Sequence, residues 1–165
     1  MATATYDKIA TQTLASAASS ITFSSIAASW TDLRLVFVGT TSVAYTFAFT
    51  LNGASSGYSV THLYGDGNSA GSSSATSQAL WATSSNTSIT IPTMFTLDLF
   101  SYAGSTYKTG LITGSSDVNG SGKVSRTVGL YQSTAAITSI TLASNFSGST
   151  LSTGTTATLY GIKAA

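Results

Sequence analysis

The chain has 165 residues, no cysteine, one histidine, six Lys/Arg, and five acidic residues that are all Asp, for a net charge of +1. That composition excludes disulfide scaffolds, thiol nucleophiles, multi-His metal centres, paired-Glu glycosidases and a phosphate-tracking basic stripe. The 30 Ser and 29 Thr stand beside 42% hydrophobic and 10% aromatic residues, so residues 1–165 can fill one core and are expected to form a single domain.

In chain order, 6–14 and 20–23 read as short strands. Leu33, Leu35 and Phe37 then alternate with Arg34, Val36 and Val38, and Tyr45, Phe47, Phe49 and Leu51 make a second such row. Period-two alternation of this kind predicts strands with one buried face. Asn52-Gly53 is a turn signal, because both residues tolerate positive φ. Val60, His62 and Tyr64 continue the pattern. Residues 65–77, rich in Gly, Ser and Ala, read as a long loop. Short strands are expected around 78–82 and 88–91. Pro92 then punctuates the chain, and Phe95, Leu97 and Leu99 follow in a row with apolar residues on both faces, as in a central strand.

Further strands are expected at 107–113, 123–131, 138–142 and 156–162, with a turn cluster at 114–122. The total is nine to eleven, spaced by turn signals every 8 to 15 residues. The expectation is an all-β fold, a two-sheet β-sandwich of jelly-roll type. No run approaches the ~20 apolar residues of a membrane helix. The N-terminus lacks the basic-then-apolar pattern of a secretory signal, so synthesis in a cytoplasm is expected. The Asn-x-Ser/Thr sequons at Asn86, Asn119 and Asn145 then carry no glycan.

Chemistry-bearing motifs are sparse. Gly-x-Ser-x-Gly occurs around Ser55 and around Ser69, but no helix pattern follows either, as a nucleophile elbow requires. His62 is the one available base, with no carboxylate near it in sequence. Asp117-Val118-Asn119-Gly120 and Asp66-Gly67-Asn68 look like calcium-loop openings without a closing Glu, which is also what turns select. No catalytic residue, cofactor or metal site is expected. The candidates for ligand or interface contact are the loop-flanking aromatics Tyr58, Tyr64, Trp81, Tyr102 and Tyr107, whose flat faces suit sugars or protein surfaces.

Several stretches together carry a family resemblance: Thr5-Tyr-Asp-Lys-Ile-Ala-Thr-Gln-Thr-Leu14, Ser20-Ile-Thr-Phe-Ser-Ser-Ile26, Trp30-Thr-Asp-Leu-Arg-Leu35, Ser133-Thr-Ala-Ala-Ile-Thr-Ser-Ile140 and Leu159-Tyr-Gly-Ile-Lys163. Two internal pieces add to it, Asn52-Gly53 through Gly65 and Tyr102 through Thr109. The chain resembles small β-rich virion proteins of tailed bacteriophages. That resemblance implies a non-enzymatic subunit on the virion surface, assembled in the bacterial host cytoplasm, as a capsid decoration (cement) or head-fibre protein. The alternative is a tail-fibre or tail-tip module recognising host surface carbohydrate. The implied partners are other virion proteins, either the major capsid protein or a tail anchor, and further copies of the chain, foremost as a trimer. An extended N-terminal segment, 1–14, would serve assembly. No nucleic-acid partner and no membrane insertion are expected. Low charge fits association, because few repulsive terms separate neighbouring copies.

Overall fold

The structure is a computed structural model that describes residues 5–163. It contains twelve strands: β1 (Tyr6–Thr13), β2 (Ser20–Phe23), β3 (Asp32–Gly39), β4 (Thr46–Leu51), β5 (Tyr58–Gly65), β6 (Ala70–Gln78), β7 (Trp81–Asn86), β8 (Thr93–Phe100), β9 (Lys108–Ser116), β10 (Lys123–Tyr131), β11 (Ile140–Ser144) and β12 (Thr156–Ile162). They form an eight-stranded sheet, β1-β12-β3-β8-β9-β10-β5-β6, and a four-stranded sheet, β2-β11-β4-β7. Every pairing is antiparallel.

The strand order resolves into a core and an addition. Without β5, β6, β9 and β10, the chain crosses between β1-β12-β3-β8 and β2-β11-β4-β7 at every step except β4 to β7, which are neighbours in the smaller sheet. That is the eight-strand, two-sheet pattern of a jelly roll. The four remaining strands are two hairpins inserted between jelly-roll strands. They pair through β10 and β5 and extend the larger sheet as an annex.

Alternation selects the buried face. Phe37 of β3, Phe95 of β8 and Phe47 of β4 meet across the sandwich, with ring centroids 4.4 Å apart for Phe37–Phe47 and 5.3 Å for the stacked Phe47–Phe95 pair. Leu33, Leu35, Leu97, Leu99, Leu142 and Leu159 are buried around them. β8 is an interior strand, flanked by β3 and β9, in keeping with its two apolar faces. Its outward Arg34–Asp98 rung is closed by a bidentate ion pair, at 2.5 Å from Nε and 2.9 Å from Nη2.

The structure departs from these expectations at several places. The stretch at 65–77 is not one loop: only 66–69 turns, and 70–78 form β6, because β5 supplies a continuous partner ladder from Gly65↔Ala70 to Val60↔Ala75. Backbone pairing needs no apolar side chains, so a Ser/Gly/Ala strand gives no period-two signal. The structure has twelve strands where nine to eleven were expected. Residues 88–91 are not a strand. The Ser88 hydroxyl accepts the N–H groups of Thr90 at 3.2 Å and Ile91 at 3.1 Å, which folds the chain into a turn ahead of Pro92. The short strand expected at 78–82 is the passage from β6 into β7. Of the N-terminal segment expected to extend for assembly, 6–13 are paired with β12 as an edge strand of the domain, and 1–4 lie outside the described residues.

Candidate functional site

The annex buries one face and exposes the other. On its inner face, Gly110, Ile112 and Gly114 of β9, Thr127 and Gly129 of β10, and Val60 of β5 alternate inward. Three of those positions are glycine because aromatic rings occupy the space. A Cβ at Gly110 or Gly129 would fall 2.7 or 2.5 Å from the indole of Trp81, and one at Gly114 would fall 2.6 Å from Phe95.

The outer face follows from strand register. Leu63, Arg126 and Thr113 form one rung, Thr61, Val128 and Leu111 the next, and Gly65, Val124 and Ser115 the rung on the other side. Leu63 is 60%, Val124 64% and Val128 45% exposed. Continuing across β8 and β3, the same face carries the exposed Met94, Val38 and Phe100. Leu63, Gly65, Thr113, Ser115, Val124 and Arg126 line a shallow, almost wholly apolar trough of about 520 Å³. Arg126 is exposed at its centre and makes no ion pair among the described residues. An exposed face with several apolar side chains is suited to burial against another surface, and a guanidinium among them is suited to binding a carboxylate.

The five aromatic candidates separate. Tyr58, Trp81 and Tyr102 are buried and form no surface platform. Tyr58 stacks on Tyr131 at 4.6 Å and meets Trp81 edge-on at 5.8 Å. Its hydroxyl accepts the Leu51 N–H at 2.8 Å and donates to the Leu51 carbonyl at 3.2 Å. Burial pushes its pKa up to about 12. Trp81 donates to the Leu130 carbonyl at 3.1 Å, and Tyr102 donates to the Ala27 carbonyl at 2.5 Å. In each case an interior polar group finds a backbone partner, which is why a loop-flanking aromatic can sit in the core. Tyr64 is half-buried under the Lys123 ammonium, 3.9 Å from its ring centroid. Tyr107 alone of the five is exposed, at 54%. Register places these two at opposite ends of the annex, beside Ser125 and next to the Lys108↔Tyr131 rung.

The polar motifs are accounted for by local bonding. His62 Nδ1 bonds Thr127 Oγ1 at 2.7 Å across the β5–β10 ladder, and neither Ser55 nor Ser69 reaches it. Burial first, then the Lys123 charge, lowers the His62 pKa. Ser69 donates its hydroxyl to Asp66, whose Oδ1 also accepts the N–H groups of Asn68 at 3.0 Å and Ser69 at 2.8 Å. Asp117 Oδ1 likewise accepts the Gly120 N–H at 2.8 Å. Both acidic loops are therefore side-chain-closed turns. Among the described residues no three His, Cys, Asp or Glu side chains gather as a metal site.

Residue-by-residue reading misses two surface features. One is the annex face, whose apolar residues come from three strands and align only through register. The other is an exposed aromatic pair, Tyr45 and Phe146, with centroids 5.3 Å apart, beside Asn145, whose amide donates to Thr46 Oγ1 at 3.2 Å. Comparison of the chain with protein-family models, curated proteins and solved structures gives no match.

Proposed function

We propose that this protein is a non-enzymatic structural subunit of a bacteriophage particle, a surface-exposed capsid decoration or head-fibre protein that docks through the outer face of its annex. The observation that carries the docking role is the exposed outer face of the annex, where Leu63, Val124 and Val128 surround Arg126, which makes no ion pair among the described residues. A solitary soluble subunit gains nothing from holding these side chains in water, whereas burial against a neighbour returns about 1.5–3 kcal/mol for each fully covered aliphatic side chain. The particle context comes from the sequence resemblance. The test is co-sedimentation of the purified chain with phage particles lacking it. The wild type should bind at a fixed ratio, and L63D/V124D should bind at least about 10-fold more weakly. Equal binding by both chains, or none by the wild type, refutes the reading.

A second reading, a tail-fibre or tail-tip module for host surface carbohydrate, is favoured by the Tyr45–Phe146 pair. Two exposed rings beside an amide offer stacking and hydrogen bonding to a sugar. It replaces the five aromatics expected from sequence with two others. A glycan array probed with the wild type and with Y45A/F146A separates it from the first.

A further inference from the structure

The two sheets have four edge strands, and three of them are blunted. β1 is bulged between Lys8 and Ala10 and carries Asp7, which pairs with Lys163 at 2.9 Å. β2 is four residues long, and Gln12 reaches across from β1 to donate to its Thr22 carbonyl at 2.7 Å. β7 is irregular against β4 and packs on β5, β9 and β10. Charges, bulges, shortness and covering are the usual protections of a sheet edge.

β6 has none of them over most of its length. Its nine residues, Ala70–Gln78, hold no charge and no proline. Ser72, Ser73 and Ser74 are exposed. No strand among the described residues pairs with its far side, and its ladder with β5 is unbroken from Ala70 to Ala75. Alternate residues along it therefore aim N–H and C=O groups out of the sheet, at a position where only another extended strand can satisfy them in series.

We infer that β6 is a two-fold self-association edge, at which the β6 strands of two copies pair antiparallel about Ser73. Directly opposed residues in a ladder share a face of the sheet. This centre therefore sets Ser73 against Ser73, Ser72 against Ser74, and Gly71 against Ala75 of the second copy. The occupant is a second copy because its side chains match in kind. The protein already ties its peripheral strands by hydroxyl pairs across the ladder, Thr11–Thr158 at 3.1 Å, Thr13–Thr156 at 3.0 Å and Thr22–Thr141 at 2.9 Å. Opposed serines repeat that contact, and an edge without charge brings no repulsion to it. The contact is two-fold, unlike the three-fold association that the resemblance implies. It goes beyond the docking role: Leu63 lies beside Ser72 on the outer face, so the paired sheets carry both docking faces on one side, ready to engage a surface twice.

The absence of cysteine allows a clean test by single-site labelling of the full chain. Sedimentation velocity should show a reversible dimer. Inter-label distances from spin labels on Ser69→Cys, Ser73→Cys and Thr76→Cys should be shortest at 73 and lengthen toward both 69 and 76, the signature of antiparallel pairing. S72K/S74K sets lysine opposite lysine and should raise the dimer dissociation constant at least about 10-fold, with a far-UV circular dichroism spectrum like that of the wild type. L63D/V124D should dimerise like the wild type, which separates failure of this contact from failure of the docking face. A wild-type monomer at every concentration, a distance minimum elsewhere, or an S72K/S74K dimer as tight as the wild type overturns the proposal.

Discussion

The indole of Trp81 rests on Gly129, so closely that a Cβ there would lie 2.5 Å from both Cε2 and Nε1. Gly129 is directly paired with Gly110, which lies under the far side of the same ring. Two adjacent strands thus leave out side chains at one rung so that the first residue of β7 can lie flat on the annex. That contact fastens the inserted hairpins to the jelly-roll core.

Gly129→Ala should therefore destabilise the protein by about 1–3 kcal/mol, as overpacking of a filled interior does. Urea unfolding measures it, with Trp81 fluorescence reporting the displaced ring. Gly65→Ala is the control. The nearest atom to its added Cβ is the Ser69 carbonyl oxygen at 3.7 Å, an ordinary contact, and its stability should stay within about 0.5 kcal/mol of the wild type.

Tyr58→Phe removes one oxygen and strands the Leu51 N–H that the hydroxyl accepts, while the Leu51 carbonyl keeps the Ala54 N–H at 3.0 Å. The expected loss is about 1–3 kcal/mol at neutral pH. The variant also changes the alkaline limb. The folded pKa of Tyr58 is raised from 10.0 to about 12, so the folded state holds a proton there that the unfolded state has released. Its contribution is complete below pH 10 and is lost as pH rises toward about 12. Equilibrium unfolding across that window should fall less steeply for the variant.

His62 works in the opposite direction at the acid end. Its folded pKa lies below 6.5 because burial and Lys123 disfavour the imidazolium. The unfolded chain then binds more protons just below pH 6.5, and stability declines as pH falls through that value until the folded imidazole also titrates. His62→Gln, which keeps a hydrogen-bonding group opposite Thr127, should flatten this decline. A wild-type stability profile already flat from pH 7.5 to about pH 5 would contradict the assignment.

Asp98→Asn breaks the bidentate pair with Arg34 on the outward rung of β3 and β8. The Arg34 side chain is 38% exposed, so solvent screens the pair and the expected cost is about 0.5–1 kcal/mol. High salt should shrink the difference between variant and wild type. A salt-independent loss would indicate packing rather than charge.

Much of the strand pattern is legible in the sequence. The rows 123–131 and 156–162 match β10 and β12 in full, because each is alternating over its whole length. The rows at Leu33–Phe37 and Phe95–Leu99 form β3 and β8, adjacent strands with Leu35 opposite Leu97. What escapes local reading is whatever depends on a partner. β6 has no apolar alternation and is a strand because β5 offers its edge. Trp81, Tyr58 and Tyr102 read either as loop-flanking contact candidates or as core, because the glycines and carbonyls that receive them lie elsewhere in the chain, as with Trp81 and Leu130.

The docking face is the clearest case of that division. Alternation fixes which way Leu63, Val124 and Val128 point within their own strands, since neighbouring side chains in a strand must face opposite ways. It does not fix which strands lie side by side. The sequence by itself determined an all-β, nearly uncharged sandwich with a filled core. Only the tertiary structure decided that two inserted hairpins join one sheet, gather apolar side chains from three strands on its outer face, and leave the edge of β6 open. Those outcomes rest on pairing between distant segments, where backbone hydrogen bonds set the register and side-chain identity within a single strand has little influence.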